Sequence, residues 1–306
     1  MVQENRLDYE TENKKRLIII TGPTASGKSN AAIKMAKKYN GEIISCDSVQ
    51  VYKHLDIGSN KIKKEEMQGI PHHLIDIKEL DEDYTAYDFT QDAEKLINKI
   101  SSRGKVPIIC GGTLMYITSL MFRYDFYNVA NVKDLRKKWN DIAQEKGNDF
   151  VHSYIEKIDK ASAEQIAVND LKRMIRFIEV WETTGQLPYK GWYKPKYKYK
   201  FFVMNPDRNE LYARINTRVD RMFYDGLVDE VRGLLKYRYC KSLTNAIGYK
   251  ELLEYFDGNY SLEMTKAMIK QHTRNYAKRQ LTYVRNINLM AEFINDDILE
   301  RILKIN

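Results

Sequence analysis

The chain has 306 residues, of which 50 are lysine or arginine and 42 are aspartate or glutamate, so its formal net charge is +8. This length allows one large domain or two smaller ones, and the basic balance suits a polyanionic partner. The three cysteines lack C-x-x-C spacing, and neither a signal-peptide core nor an apolar run of 18 residues is present. These features argue against a disulfide framework, a cysteine zinc site and a membrane span. We therefore expect a soluble, cytoplasmic protein.

A buried parallel strand is predicted for residues 17–20, because four apolar residues follow one another without interruption. The next segment reads GPTASGKS and matches the phosphate-binding pattern G-x-x-x-x-G-K-[ST] in full. Backbone N–H groups of such a loop surround phosphate oxygens, while Lys28 adds a positive charge and the Ser29 hydroxyl can hold Mg²⁺. The pattern does not say which phosphate compound binds. The P-loop consists of Gly22, Pro23, Thr24, Ala25, Ser26, Gly27, Lys28 and Ser29.

A second short strand is predicted for residues 42–45, and it leads directly towards Asp47. An acidic residue at the exit of a strand beside a P-loop lies at the carboxyl edge of the sheet, where ligands of open α/β sheets bind. Asp47 could therefore hold Mg²⁺ or act as a general base. It could equally cap the helix that follows, as aspartate often does. The position of Asp47 alone leaves both interpretations open.

Two adjacent histidines, His72 and His73, could indicate a metal site. No further cysteine or histidine has the spacing of a metal ligand, so we expect structural histidines that are held by hydrogen bonds. An amphipathic helix is predicted after them, for residues 85–100, where apolar residues recur with the helical period.

A third apolar strand, predicted for residues 106–110, runs into Gly111, Gly112 and Thr113. Two glycines at the end of a strand allow a backbone to approach a ligand closely. Thr113 offers a hydroxyl at the same sheet edge as the P-loop, or it caps an ordinary strand–helix turn. The alternation of strands and helices predicts a doubly wound parallel sheet.

After about residue 123 the pattern becomes helical, with no β-type run. Polar helices are predicted for residues 133–146, 150–157, 162–167 and 171–184. Arg173 and Arg176 lie on one face of the last of these helices, where they could hold phosphates or only face solvent. The lysine- and tyrosine-rich segment 185–200 is a weak indication of RNA binding, and a strand is predicted for residues 201–204.

The last third of the chain is basic and mainly helical. Arg214 and Arg218 lie four residues apart on one predicted helix face, so they could clamp an anion or pair with carboxylates. Between residues 266 and 285 no acidic residue occurs, and basic residues recur every four positions. We expect this stripe to bind a polyanion rather than only to face solvent. Its members are Lys266, Lys270, Arg274 and Lys278.

Taken together, these motifs resemble those of the bacterial tRNA dimethylallyltransferases, also called tRNA isopentenyltransferases. They occur in the order of that family and cover nearly the whole chain. Three departures are visible: Met115 stands in a Leu-Met-Tyr sequence where Gly-Leu-Tyr is frequent, Lys172 replaces Arg or Gln, and Tyr283 replaces Trp. The matching motifs are residues 22–29, 47–52, 71–76, 111–113, 173–180, 247–251 and 273–285.

The resemblance implies an α/β fold in which a P-loop NTPase-like parallel sheet core is flanked by helices and carries an all-helical insertion domain. The core would comprise residues 1–123 and 199–306, and the tRNA-binding insertion residues 124–198. The implied reaction transfers a dimethylallyl group from dimethylallyl diphosphate to N6 of an adenosine beside the tRNA anticodon. Mg²⁺ is the implied cofactor, the anticodon stem-loop the implied partner, and we expect a monomer without membrane association.

The resemblance also implies roles for individual residues. Asp47 would be the general base, Thr113 would contact the leaving oxygen or the nucleotide, and Arg218 would assist the P-loop in holding diphosphate. Ser48, Val49 and Gln50, with Asp47 and Thr113, would meet the nucleotide. The anticodon stem-loop would be held by Arg136, Lys172, Arg173, Arg176, Lys250, Lys278, Arg279, Gln280 and Arg285.

Three other functions use a P-loop sheet. A small-molecule kinase would transfer phosphate from ATP, and a prenyltransferase acting on free adenine nucleotides would need no extended basic surface. A non-catalytic RNA-binding protein would leave Asp47 and Thr113 without a role.

Overall fold

The computed structural model describes residues 15–122, 133–188, 194–287 and 289–304. Within them, six strands form one parallel sheet in the order β3-β2-β4-β1-β5-β6. The strands are β1 (Arg16–Thr21), β2 (Gly41–Ser45), β3 (His72–His73), β4 (Val106–Cys110), β5 (Lys198–Met204) and β6 (Glu292–Ile294). The α-helices are α1 (Lys28–Tyr39), α2 (Ala86–Ser102), α3 (Leu114–Met121), α4 (Lys133–Lys146), α5 (Asn148–Ile158), α6 (Lys160–Glu164), α7 (Leu171–Thr184), α8 (Arg208–Tyr224), α9 (Leu227–Gly233), α10 (Lys241–Thr244), α11 (Tyr249–Phe256), α12 (Leu262–Arg285) and α13 (Asp296–Lys304).

The middle residues of the two central strands, β1 and β4, are apolar because the sheet is covered on both faces. Successive residues of a strand point to opposite faces. Ile18 and Ile20 of β1 belong to a core cluster with α1 and α13, whereas Leu17 and Ile19 belong to a cluster with α2 and α3. A strand that is buried on both sides has an unbroken apolar run, which is the pattern that made it recognisable. The predicted parallel sheet with flanking helices is confirmed.

The order of the strands decides where the site lies. β1 is hydrogen-bonded to β4 and β5, and β4 is also hydrogen-bonded to β2, all in parallel. The carboxyl ends of β1, β2 and β4 are therefore neighbours at one edge of the sheet. The P-loop, Asp47 and the Gly-Gly-Thr segment follow these three strands directly.

Several predicted boundaries differ from the observed ones. Helix α6 begins and ends earlier than predicted. Its beginning is set by Asp159, whose side chain accepts a hydrogen bond from the Ser162 N–H and so caps the helix. Strand β5 begins at Lys198, three residues before the prediction, since its first residues alternate between lysine and tyrosine and resemble a polar loop. Strand β6 was not predicted; it is a three-residue edge strand with two exposed residues.

The chain forms two compact units. One comprises residues 1–122 and 194–306, and the other residues 123–193. The second unit is helical wherever the structure describes its regular elements, and its core cluster includes Trp139, Ile155 and Ile178. The predicted insertion domain ran to residue 198, but residues 194–198 belong to the first unit, where the last of them begins β5.

Helices α8 to α12 build a third core region in the first unit. Its buried residues include Val219, Leu252 and Ile269, together with Val51 and Leu55 from the segment after β2. No helix in the described part of the chain combines the length and the apolar character needed to cross a membrane. All three cysteines are unpaired.

Candidate active site

The P-loop leaves β1 through a backbone that only glycine fits well. Gly22 has φ +151°, and a Cβ atom there would lie 2.7 Å from the Met204 carbonyl oxygen. Gly27 has φ +88° and immediately precedes α1. Both positions are therefore needed to bend the loop tightly around the N-terminus of α1. Such a turn directs backbone N–H groups and the positive end of the helix dipole towards one point.

A cavity of about 410 Å³ opens beside this loop. Four parts of the chain contribute to it: the P-loop with the first turns of α1, the ends of β2 and β4 with the residues that follow them, the segment 59–68, and α8. The lining residues are Thr24, Ala25, Gly27, Lys28, Ser29, Asn30, Ile33, Ser45, Asp47, Gln50, Ser59, Asn60, Ile62, Glu66, Gln68, Cys110, Gly111 and Arg218.

Two cations in the cavity make it attractive to an anion. Burial lowers the pKa of Lys28, and the nearby charge of Arg218 lowers it further. Burial also lowers the pKa of Arg218, whose guanidinium donates a hydrogen bond to the Thr24 hydroxyl at 3.2 Å. Among the described residues, no carboxylate lies within ion-pair distance of either cation. Because cations removed from water need a counter-charge, the cavity is suited to a phosphate group.

The second arginine of the predicted clamp lies elsewhere. Arg214 forms ion pairs with Glu210 at 2.6 Å and with Asp296 at 3.6 Å. The carboxylate pairing left open by the sequence is thus the one that occurs, and Arg218 alone of the two arginines lines the cavity.

Asp47 has one carboxylate oxygen engaged in backbone structure. Its Oδ1 accepts hydrogen bonds from the N–H groups of Val49 at 2.9 Å and Gln50 at 3.3 Å, which fixes a turn rather than a helix. The residues after Asp47 form a turn and not a helix, so the helix-capping interpretation was wrong, although the carboxylate does fix the local backbone. The Oδ2 of Asp47 has no hydrogen-bond partner in the part of the chain that the structure describes, and Asp47 lines the cavity. The turn therefore uses one carboxylate oxygen and leaves the other available in the cavity.

Thr113 holds the segment after β2 rather than capping α3. Its hydroxyl oxygen accepts a hydrogen bond from the Ser48 N–H at 3.0 Å and its hydroxyl donates to the Ser48 Oγ at 3.3 Å. It precedes α3 but makes no side-chain cap hydrogen bond, so the capping alternative was wrong. Thr113 therefore fixes Ser48, the residue that follows Asp47, against the end of β4.

The glycines before Thr113 make room for protein groups. A Cβ atom on Gly111 would lie 1.9 Å from the Cys46 carbonyl oxygen, and one on Gly112 would lie 2.3 Å from the Gln280 Nε2. Both glycines thus allow a close approach of other parts of the protein, namely the backbone of Cys46 and the side chain of Gln280. Gly111 also lines the cavity.

Gln280 is buried beneath the P-loop. Its Oε1 accepts a hydrogen bond from the Thr24 N–H at 3.0 Å, and its Nε2 donates to the Gly112 carbonyl at 2.9 Å. Gln280 is only 5% exposed. The tRNA contact predicted for Gln280 does not fit this position, because both ends of its amide are occupied by the protein.

Gln50 lies in the cavity wall next to Asp47. Its Nε2 donates to the carbonyl oxygens of Ser59 at 3.2 Å and Asn60 at 3.3 Å, so it joins the turn after β2 to the segment on the far side of the cavity. Val49, by contrast, packs against the third core region.

The histidine pair is structural, as predicted. The Nδ1 of His72 is hydrogen-bonded to the Ile70 carbonyl, and the Nε2 of His73 to the carboxylate of Glu42, both at 2.8 Å. Within the described residues, no group of three His, Cys, Asp or Glu side chains could hold a metal ion. Ser29 and Asp47 both line the cavity, and their hydroxyl and carboxylate oxygens are the donor types that Mg²⁺ prefers beside a phosphate.

Two of the basic residues predicted on α4 and α7 share one acidic residue of the second unit. Arg136 and Arg176 both form ion pairs with Glu179, whose side chain is only 1% exposed. The hydrogen bond that Arg136 donates to the Glu179 carboxylate raises the pKa of Arg136. Lys172 and Arg173 are exposed at the start of α7. The side chains of the two arginines bound to Glu179 remain about half exposed.

The stripe predicted on α12 is only partly open to solvent partners. Lys266 and Lys270 both bind Asp220 of α8 at 2.7 Å, and Arg274 donates to the Asn216 side chain at 2.7 Å. No acidic partner comes from within the stretch 266–285, as expected, but Lys266 and Lys270 are paired with an acidic residue of another helix.

The other basic residues predicted for the first unit lie at its surface. Lys278, Arg279 and Arg285 are exposed and have no ion-pair partner in the ranges that the structure describes. Lys250 is partly exposed and lies 3.8 Å from the Glu251 carboxylate.

Comparison with known proteins agrees with this geometry. A family model described as IPP transferase matches residues 50–287. The tRNA dimethylallyltransferase of Carboxydothermus hydrogenoformans is 47% identical over 277 residues, which is 89% of each chain, and that of a Thermoanaerobacter species is 44% identical over 292 residues, 92% of each chain.

Solved structures agree as well. A tRNA isopentenylpyrophosphate transferase from Bacillus halodurans superposes with a TM-score of 0.72 at 38% identity, covering 95% of both chains. A eukaryotic dimethylallyltransferase, solved in snapshots of its action on tRNA, superposes with a TM-score of 0.76 at 29% identity, covering 93% of this chain and 75% of the other. The resemblance found in the motifs is confirmed, and the chain belongs to the IPP transferase family.

Proposed function

We propose that this protein transfers a dimethylallyl group from dimethylallyl diphosphate to N6 of the adenosine adjacent to the anticodon of a tRNA, and releases diphosphate. The observation that carries the proposal is the similarity to enzymes named tRNA dimethylallyltransferase, at 42–47% identity over 89–92% of this chain. The geometry of the cavity supports the same chemistry.

The diphosphate would bind in the P-loop. Backbone N–H groups of the loop, the N-terminus of α1 and the cations Lys28 and Arg218 surround the cavity. The Ser26 hydroxyl is buried and has no hydrogen-bond partner among the described residues, so it is available to a phosphate oxygen. Charge grows on the diphosphate as its bond to the allylic carbon breaks, and donors that are fixed in advance stabilise that charge.

Mg²⁺ fits the oxygen donors of this cavity. The Ser29 hydroxyl would hold the ion. Bound there, Mg²⁺ would neutralise part of the charge on the leaving diphosphate.

Asp47 would accept the proton of the adenosine amine. The N6 nitrogen forms a bond to the allylic carbon while the carbon–oxygen bond to diphosphate breaks, and one N6 proton must then leave. Two backbone amides hold the Oδ1 of Asp47, and this fixes the direction in which its second oxygen, Oδ2, points. Thr113 would act by fixing Ser48, and Ser48, Val49 and Gln50 would border the nucleotide.

The adenosine must leave its base stack to reach such a cavity. The anticodon stem-loop would contact basic residues of each unit: Arg136, Lys172, Arg173 and Arg176 in the second, and Lys250, Lys278, Arg279 and Arg285 in the first. A tRNA substrate is found in the cytoplasm, where the three unpaired cysteines would stay reduced. We expect the enzyme to act as a monomer.

The decisive experiment is incubation with dimethylallyl diphosphate, Mg²⁺ and unmodified tRNA, followed by mass analysis of the nucleosides. We expect adenosine that carries one dimethylallyl group, formed without ATP. Phosphate transfer from labelled ATP to a small acceptor, with tRNA unchanged, would establish the kinase instead. Adenosine monophosphate as the acceptor in a parallel reaction tests the prenyltransferase that acts on free nucleotides.

A further inference from the structure

A carboxylate outside the cavity holds two consecutive backbone amides of the segment that leads into its wall. Glu230 of α9 accepts hydrogen bonds from the N–H of Ile57 at 2.7 Å and the N–H of Gly58 at 3.2 Å. The hydroxyl of Tyr249, the first residue of α11, donates to the Glu230 Oε1 at 2.7 Å. Hydrogen bonds to an ionised acceptor are stronger than those between neutral groups. We refer to Glu230 and Tyr249 as the clasp.

The clasp fits closely around its segment. Tyr249 is 0% exposed, and a Cβ atom on Gly58 would lie 2.5 Å from its ring. The N-terminus of α11 is fixed in turn, because the Gly248 N–H donates to the Glu251 carboxylate at 2.7 Å. Tyr249 therefore has little freedom to move away from Gly58 or from Glu230.

The segment held by the clasp continues directly into the cavity wall. Ser59 and Asn60 line the cavity, and their carbonyl oxygens accept the two hydrogen bonds of the Gln50 amide. The backbone N–H of Gln50 in turn binds the Oδ1 of Asp47 at 3.3 Å. A continuous series of contacts thus joins Glu230 to the carboxylate assigned as the general base.

We propose that Glu230 and Tyr249 are positioning residues for the transfer reaction: they fix the backbone at residues 57–60, which holds Gln50 and, through it, the turn that orients Asp47. This inference rests on the proposed function. Neither residue lines the cavity, so they act through the wall and do not touch the substrate. A carboxylate is needed at position 230 because it accepts two amides at once, whereas glutamine would direct an NH₂ group at one of them.

The first test compares Glu230→Gln and Tyr249→Phe with Asp229→Asn, a matched control on the same helix turn. Asp229 is exposed and pairs only locally, with Arg232. Hydrogen exchange, followed by mass spectrometry on peptides containing residues 57 and 58, should be about tenfold faster in Glu230→Gln and unchanged in the control. The turnover number with saturating substrates should fall about tenfold, while the KM for tRNA stays within about twofold. Tyr249→Phe keeps the ring against Gly58 and should show a smaller loss of the same kind.

The second test asks whether the effect passes through Gln50. In a Gln50→Ala background, Glu230→Gln should cost less than about threefold in turnover, because the link that it disturbs is already absent. Equal losses in both backgrounds would overturn the route through Gln50, and unchanged turnover despite faster exchange would overturn the positioning role. A wild-type protein that makes no prenylated tRNA would refute the proposed function instead, whatever the exchange data show.

Discussion

The side chain of Gln280 accepts a hydrogen bond from the backbone N–H of Thr24, at 3.0 Å. A P-loop binds phosphate through its backbone N–H groups, yet the N–H of Thr24 is occupied by a side chain of the protein. Gln280 therefore fixes the shape of the loop. Because the same amide also donates to Gly112, it joins the loop after β1 to the loop after β4.

We expect Gln280→Ala to weaken the binding of inorganic pyrophosphate by roughly tenfold. The substitution removes the partner of the partly buried Thr24 N–H and of the buried Gly112 carbonyl, and leaving a buried polar group unpaired costs about 1–3 kcal/mol. Isothermal titration calorimetry would measure the affinity. Gln271→Ala is the matched control, since Gln271 lies on the same helix but is exposed. Equal affinities for all three proteins would show that Gln280 does not shape the phosphate site.

Gln280 also shows where sequence patterns stop being informative. It lies between basic residues on a helix, and the family resemblance implied a tRNA contact for it. Its partners at positions 24 and 112 are brought to it only by the tertiary fold. Lys266 and Lys270 illustrate the same limit, because Asp220 belongs to a different helix. Contacts between distant segments have no periodicity that a sequence could reveal.

Other features could be predicted because a local physical rule governs them. The strand before the P-loop is buried on both faces along residues 17–20, and these four residues are therefore all apolar. The positions of Asp47 and Thr113 follow from parallel strands, whose carboxyl ends meet at one edge. Strand β6 escaped prediction because two of its three residues are exposed and it pairs with β5 alone.

Replacing Asp47 tests the assignment of the general base, and the structure indicates which substitution to use. Asp47→Asn keeps an oxygen that can accept the Val49 and Gln50 amides but removes the charge. We expect the turnover number to fall by roughly a hundredfold to ten-thousandfold while tRNA affinity changes little. Binding and single-turnover assays would separate the two effects.

Asp47→Ala serves as the comparison, because it loses both the base and the turn. This variant should also have an unfolding free energy that is lower by about 0.5–2 kcal/mol, as expected when a side chain that caps backbone N–H groups is removed. If Asp47→Asn transferred the prenyl group at the wild-type rate and Asp47→Ala did not, only the turn would matter.

The lowered pKa of Lys28 predicts how diphosphate binding depends on pH. Burial, followed by the charge of Arg218, holds this pKa below its ordinary value of 10.5. A bound anion favours the charged amine, so binding should be strongest while Lys28 is protonated and should weaken as pH rises through the lowered pKa. Calorimetric affinities for pyrophosphate between about pH 7 and pH 10 would reveal the decline.

Lys28→Arg supplies the control for this titration, since arginine stays charged over the whole range. The ratio of the two affinities removes the titration of pyrophosphate itself. We expect the affinity of the wild-type protein, divided by that of Lys28→Arg, to fall as the pH rises. A ratio that is independent of pH would mean that Lys28 keeps its proton throughout and that its environment does not lower its pKa.

The basic residues of α12 should divide into two functional groups. Lys278, Arg279 and Arg285 are exposed without an ion-pair partner in the described ranges, whereas Lys266 and Lys270 are bound to Asp220. Each phosphate contact contributes about 0.7–0.9 to the slope of log affinity against log salt concentration. Replacing the first three by alanine should therefore weaken tRNA binding and reduce that slope by about two to three. Replacing Lys266 and Lys270 should reduce it by less than about one, because their charges already have a partner in the protein. Equal changes in slope for the two variants would show that the pairing with Asp220 does not withhold these lysines from tRNA.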